Sequence, residues 1–187
     1  MKLTLKQKQA SLEMIKGEIE NCKICKKGKI GRAVPGEGSA NAKIVFLGEA
    51  PGKTEAETGR PFIGRAGKVL RGLIQDVGLK EDEVFITSPV KYLPKYVTPT
   101  EADIKHGFLH LDKQLGIIQP KVVVLMGRVA ALAILKRQVE VSKEHGKIIE
   151  LDERKYLLTY HPAAPLYSPK VKPELVKDFR KIKKLLK

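Results

Sequence analysis

The chain has 187 residues, and 36 Lys and Arg against 21 Asp and Glu give it a formal net charge of +15. That length makes one domain with a sizeable core the default. No run approaches the roughly 18 apolar residues of a membrane span, and Met1 to Lys6 lacks the apolar stretch of a signal peptide, so the expectation is a cytoplasmic, monomeric protein with no membrane partner.

The charge excess points to a polyanionic partner, because Lys and Arg gain affinity by releasing phosphate counterions. The alternative is a lysine-rich solvated surface of the heat-adapted kind. Along the chain, Leu12, Ile15 and Ile19 recur at helix spacing and predict a helix over Leu5 to Ile19. A loop from Asn21 to Asn41 holds both cysteines, Cys22 and Cys25. Ile44 to Leu47 reads as a short buried strand that ends on the turn Gly48-Glu49-Ala50-Pro51-Gly52. Ala66 to Val77 reads as a helix, with Val69, Leu70 and Leu73 on one face and Gly78 as its stop.

Val84 to Val90 reads as a second strand, followed by a loop with Pro94 and Pro99. Thr100 to Leu115 is a predicted helix with Thr100 as N-cap and Glu101 and Asp103 in its first turn. Val122 to Met126 is an entirely apolar strand, and Gly127-Arg128 opens a helix over Val129 to Leu135. Lys147 to Leu151 and Lys155 to Thr159 form a last strand pair around Asp152-Glu153, and Pro173 starts a terminal helix to Leu186. The alternation predicts an α/β fold of three layers, with a mostly parallel central sheet of about four strands. It is a single domain over 1–187, with an N-terminal helix and C-x-x-C loop over 1–41 and a basic C-terminal helix over 170–187.

Open α/β sheets place ligands beyond the carboxyl ends of their strands, and two polar motifs fall there. One is the Gly48–Gly52 turn; the other is Tyr160-His161-Pro162 after the last strand. The turn is not a phosphate-binding P-loop, since its glycines are separated by three residues rather than four and Glu49 would repel phosphate. A strand-to-helix turn without chemistry remains the bland reading. His161, in a rigid Pro-flanked turn, is a candidate functional group, with an ordinary surface histidine as its alternative.

Four segments occur in order: Gly48-Glu49-Ala50-Pro51-Gly52 with Glu55; Thr58-Gly59-Arg60-Pro61-Phe62 with Gly64, Ala66 and Gly67; Gly127-Arg128 with Ala130; and Tyr160-His161-Pro162-Ala163-Ala164. Together, over roughly Cys22 to Pro169, this set resembles the family 4 uracil-DNA glycosylases, iron–sulfur enzymes of thermophilic archaea and bacteria. The resemblance implies a repair enzyme that flips a deaminated base, uracil foremost, out of DNA and hydrolyses its N-glycosidic bond to leave an abasic site. It implies Phe62 as the aromatic stacked on the base (a core phenylalanine being the alternative), and His161 as a donor to the uracil carbonyl as negative charge develops. It implies Glu49 as the carboxylate near the anomeric carbon, with Glu55 as a second motif carboxylate, and Gly48, Ala50, Pro51 and Gly52 as the floor of the pocket. Ala50 stands where other uracil glycosylases carry Asp or Asn, which shifts catalysis toward leaving-group stabilisation. Arg60, Arg65, Lys91 and Arg128 are the candidate DNA contacts, and Pro165, Leu166 and Tyr167 match a loop entering the minor groove, where an apolar wedge fills the vacated stack.

The departures concern the cluster and base reading. The resembled family holds its cluster with four cysteines; Cys22 and Cys25 match the first pair, but Tyr92 and Gly107 stand at the other two positions. Two thiolates cannot hold a four-iron cluster, so the cluster is expected to be absent. His106 and His110, one helical turn apart, would complete a zinc ligand set with Cys22 and Cys25. A linker of about eighty residues means that only the fold could bring them together, and an unliganded pair or a disulfide stays open. Ser88 stands where the family reads uracil with Asn, which leaves uracil, another deaminated base such as hypoxanthine, or a non-catalytic nucleic-acid-binding descendant as outcomes. The segment from Lys170 onward holds eight basic and two acidic residues and reads as an amphipathic cap on the sheet, a contributor to phosphate binding, or both.

Overall fold

The computed structural model describes residues 3–80, 83–96, 98–151 and 154–186; Asp152 and Glu153, at the expected hairpin, lie outside them. Apolar side chains at every position make the third and sixth of the strands below, Ile44–Leu47 and Val122–Met126, unable to face water on either side, and the fold is built around them. The helices are α1 (Leu5–Asn21), α2 (Lys23–Lys26), α3 (Lys53–Thr58), α4 (Arg65–Asp76), α5 (Glu101–Ile118), α6 (Arg128–Leu135), α7 (Val141–Glu144), α8 (Ala164–Tyr167) and α9 (Lys172–Leu185). The strands are β1 (Lys29–Ile30), β2 (Glu37–Gly38), β3 (Ile44–Leu47), β4 (Val84–Thr87), β5 (Leu93–Pro94), β6 (Val122–Met126), β7 (Ile148–Leu151) and β8 (Arg154–Thr159).

Among the described residues the main sheet runs β2-β4-β3-β6-β8-β7. The inner four strands are parallel, and β2 and β7 close the edges antiparallel. The sheet is mostly parallel, as expected, but has six strands rather than about four; β2, a pairing of two residues, leaves no periodicity in the sequence. Successive side chains of β3 leave on opposite faces. Ile44 and Phe46 pack with Leu70 and Ile74 of α4 and Leu175, Phe179 and Ile182 of α9. Val45 and Leu47 pack with Leu111, Leu115 and Ile118 of α5 and Ala130 and Ala131 of α6. The result is three layers. Phe179 stacks on Phe46 at 5.6 Å between centroids, which makes the apolar stripe of α9 part of the core and leaves its lysines outside.

Local chemistry sets the ends. Thr100 caps α5 with a reciprocal bond to Asp103, as its sequence predicts; the helix runs on past Gly116 and stops at Gln119, in left-handed conformation before Pro120. β4 stops at Thr87, short of the predicted Val90, because Pro89 has no N–H for the ladder. α1 packs on α5, and a satellite core of Ile15, Ile19, Cys25, Ala33 and Tyr92 fills the corner beneath it. No helix of the described residues is long and apolar enough to cross a membrane.

Candidate active site

The carboxyl ends of the parallel strands carry the motifs to one edge. Gly48, after β3, donates its N–H to the carbonyl of Thr87 at the end of β4 (2.9 Å), and Gly127, after β6, donates to Thr159 at the end of β8 (2.9 Å). These bonds seat the Glu49 turn, Ser88, Arg128 and His161 along one rim.

Phe62 is the most constrained residue there. Its φ of +51° is left-handed, a conformation that costs a bulky residue energy and survives only when the surroundings impose it. The surroundings do so in four ways. A Cβ at Gly48 would lie 2.5 Å from the Phe62 ring, and one at Gly67 would lie 1.9 Å from its carbonyl oxygen, so both glycines are required for the approach. Arg71 donates to the carbonyls of Phe62 (3.1 Å) and Pro61 (3.3 Å). The Glu55 carboxylate accepts the N–H groups of Ile63 (2.9 Å) and Gly64 (2.8 Å). Glu55 thus helps to hold the Phe62 loop, its Oε1 taking both loop amides.

The ring held this way lies 5.7 Å from the imidazole of His161, tilted by 35°. His161 is half-buried, and loss of solvent pushes its pKa down to about 4, so the ring is neutral at pH 7. Its Nδ1 accepts the N–H of Ala163 at 3.1 Å. A neutral imidazole that accepts at Nδ1 carries its hydrogen on Nε2, which fixes the tautomer as an Nε2–H donor. Gly127 keeps this place open, since a Cβ there would meet the His161 Cβ at 3.2 Å. Glu49 is half-buried; desolvation raises its pKa, against a smaller lowering by the Arg128 guanidinium. Ala50, half-buried, packs toward Val90, Ile104, Val129 and Ala133. Pro51 is buried, and Gly52 caps α3.

Ser88 is 5 % exposed, and its hydroxyl donates to the carbonyl of Val90 at 2.8 Å. Its hydrogen is spent, and its oxygen offers lone pairs only. Lys91 is not a DNA contact: it is 1 % exposed, and its ammonium donates to Gln114 Oε1 (2.8 Å), Thr87 Oγ1 (2.8 Å) and the Pro35 carbonyl (3.2 Å). Burial pushes its pKa down to about 7. Arg65 and Arg128 are exposed, as is Arg60, which forms a bidentate pair with Glu37 (2.8 and 2.7 Å). Pro165 and Leu166 are half-buried on α8, directly after His161, and Tyr167 at its end is 86 % exposed. Arg71 and Gln114 act here without any local motif that marks them in the sequence. A groove of about 1300 Å³ between α1 and residues 31–40 includes none of Glu49, Phe62, Ser88 or His161.

A second cluster forms where α1, α2 and α5 meet. One ligand atom each of Cys22, Cys25, His106 and His110 lies within 4.8 Å of the others, and the two cysteines are not bonded to each other in this structure. Burial pushes the Cys25 thiol up to about 12, with Cys22 adding to the rise. The two remaining cluster positions that the resemblance assigns supply no ligand here. Tyr92, at one of the two remaining positions that the resemblance assigns, is buried with its hydroxyl directed at the carbonyls of Ile19 (3.3 Å) and Glu20 (3.2 Å). At Gly107, the other, even a Cβ would fall 2.0 Å from the carbonyl oxygen of Pro89, so no cysteine side chain fits there without backbone movement.

The chain belongs to the uracil DNA glycosylase superfamily, whose family profile matches residues 35–186. Within it, the type-4 uracil-DNA glycosylase of Sulfurisphaera tokodaii is 42% identical over 186 residues, covering 94% of this chain and 84% of the relative. That of Archaeoglobus fulgidus is 38% identical, with 94% and 93% covered, and that of Thermotoga maritima is 33% identical, with 94% and 95% covered.

Proposed function

We propose that this chain is a DNA repair glycosylase that flips uracil out of DNA, holds it against Phe62 and hydrolyses its N-glycosidic bond. The observation that carries the reading is the clamped, left-handed Phe62 facing a neutral His161 whose tautomer is fixed. The type-4 names of its relatives support it.

Flipping costs unstacking, which Tyr167, Leu166 and Pro165 offset by entering the vacated stack, while Arg60, Arg65 and Arg128 meet phosphates. The base stacks on Phe62. The bond from base nitrogen to C1′ breaks heterolytically, its electron pair leaving with uracil and positive charge spreading over the sugar. His161 Nε2–H donates to the uracil carbonyl as negative charge grows there, without giving up its proton. Water adds to C1′, oriented by the Glu49 carboxylate, through which its proton leaves; the raised pKa of Glu49 suits it to that passage. The carboxylate also opposes the positive sugar.

Ser88 offers only an acceptor, because its hydrogen is bonded to Val90. An acceptor matches the ring N–H of uracil and that of hypoxanthine and mismatches the bare ring nitrogen of cytosine, so the preference is for deaminated bases. The enzyme acts as a cytoplasmic monomer, and without the iron–sulfur cluster, because Tyr92 and Gly107 fill two of its ligand positions. The test is strand cleavage by alkali after incubation with uracil-containing and inosine-containing oligonucleotides. The reading expects abasic product from uracil that His161→Ala abolishes; no abasic product from either substrate overturns it.

A further inference from the structure

We propose that Cys22, Cys25, His106 and His110 form a structural zinc site that ties the N-terminal helices to α5, in the place where the resembled family carries its iron–sulfur cluster. The ligand atoms lie within 4.8 Å of one another. A tetrahedron with zinc–ligand bonds of about 2.0–2.3 Å has edges of roughly 3.3–3.8 Å, so contraction of about an ångström closes the site. One edge is already short: Cys22 Sγ is 3.1 Å from His106 Nε2.

The site is built rather than incidental. Cys22 ends α1 and caps α2, and its sulfur accepts the backbone N–H of Cys25 at 3.4 Å, a bond that fixes where the sulfur points. His106 and His110 rise one turn apart on α5, their rings 5.8 Å apart and nearly perpendicular. His110 is 8 % exposed, yet neither of its ring nitrogens has a hydrogen-bond partner. A buried, unpartnered imidazole is costly, and a metal ion removes that cost. Glu18 Oε2 lies 3.8 Å from His110 Nδ1 and is itself held by Lys113 at 2.6 Å. Too far for a hydrogen bond as it stands, the carboxylate is on the Nδ1 side, where a small shift would make it the outer-shell partner of a ligating histidine and leave Nε2 for the metal.

The donor set selects the ion. Two thiolates neutralise a divalent cation, and two sulfurs with two imidazole nitrogens in a tetrahedron favour zinc. A two-iron cluster with the same residues would place cysteines on one iron and histidines on the other; here a cysteine sulfur and a histidine nitrogen touch, as ligands of one ion must. The fastening joins residues eighty positions apart, and Lys29 of β1, paired with Asp103 of α5, adds a second tie beside it.

The test uses the full chain, grown with zinc and analysed for metal and acid-labile sulfide. The expected result is about one zinc per chain, no sulfide, and Cys22 and Cys25 that react with a thiol reagent only after chelation. Chelation lowers Tm by about 10 °C, and adding cobalt(II) to the metal-free chain produces the intense visible absorption of a tetrahedral thiolate site. Because loss of a ligand can impair folding, His110→Ala is read by cobalt titration of folded material, with weakened binding expected. Stoichiometric iron with sulfide overturns the proposal. So does a reduced, folded chain that takes up neither zinc nor cobalt, or a His110→Ala variant with unchanged cobalt affinity and spectrum. None of these readouts depends on base removal, so the zinc site and the glycosylase reading fail separately.

Discussion

The strand-end crevice and the cysteine–histidine corner are made by opposite means. At the crevice the fold works by leaving atoms out: Gly48, Gly67 and Gly127 have no Cβ where one would strike Phe62 or His161, and the aromatic ring settles into the space. At the corner the fold works by bringing side chains in, four donors from three helices around one point. A crevice made by absence is broken by adding a methyl group, with its helices and sheet intact. A corner made by convergence is broken by removing a donor, and the damage appears in the attachment of α1 and α2.

The largest expected effect is on the crevice. His161→Ala removes the Nε2–H donor and should lower base release by about 10²–10³-fold, with Tm little changed, as measured by single-turnover cleavage of a uracil oligonucleotide. If the loss is below tenfold, the imidazole is not the leaving-group donor. Next comes Gly48→Ala. Its Cβ would sit 2.5 Å from the Phe62 ring, and displacement of the ring by about an ångström should cost on the order of 10²-fold in single-turnover rate. Chelation at the corner should do the reverse, lowering Tm and leaving the single-turnover rate unchanged well below the transition. A chelated enzyme that is folded but inactive would erase the distinction between the two regions.

The regions also differ in how far they could be read in advance. The crevice was legible because each of its motifs is local: a Gly/Pro turn after Ile44–Leu47, and His161 after the last strand. A parallel sheet then brings strand ends together regardless of the distance between them in sequence. The strands β1, β2 and β5 were not legible, since pairings of two residues leave no periodicity. Lys91 misled because lysine is almost never buried unless paired, and its partners Pro35 and Gln114 are distant in sequence. The amide contacts of Glu55 were hidden for a related reason, since a motif carboxylate looks the same in sequence whether or not one oxygen accepts two backbone amides. At the corner, the ligand types were visible and their meeting was not, because it depends on α1 lying across α5.

A smaller effect concerns His161 and pH. Burial holds the His161 pKa at about 4, below the ordinary 6.5. The unfolded chain therefore takes up this proton first, and the group's contribution to stability is complete above pH 6.5 and is lost as pH falls toward 4. The ring is only partly shielded, so the loss should be on the order of 2 kcal/mol. Denaturation of His161→Asn at pH 7 and pH 4 should show a shallower loss by that amount; identical slopes would mean that His161 titrates normally.

The smallest effect tests base reading. The Ser88 hydroxyl is fixed by its 2.8 Å bond to the Val90 carbonyl, so rotating it to donate to a base would leave that buried carbonyl unpaired, at a cost of about 1–3 kcal/mol. The oxygen is thus held as an acceptor. Ser88→Ala removes one neutral hydrogen bond to the base, worth about 1 kcal/mol, and should slow uracil release about fivefold without creating activity on cytosine. Ser88→Asn supplies both a donor and an acceptor and should raise the rate on uracil while reducing any on inosine, because the purine needs the room that the longer side chain occupies. If Ser88→Ala releases cytosine, discrimination lay in that hydroxyl alone. If neither variant changes the rate, the base is read by the backbone of the Gly48–Gly52 turn, and Ser88 serves only to hold Val90.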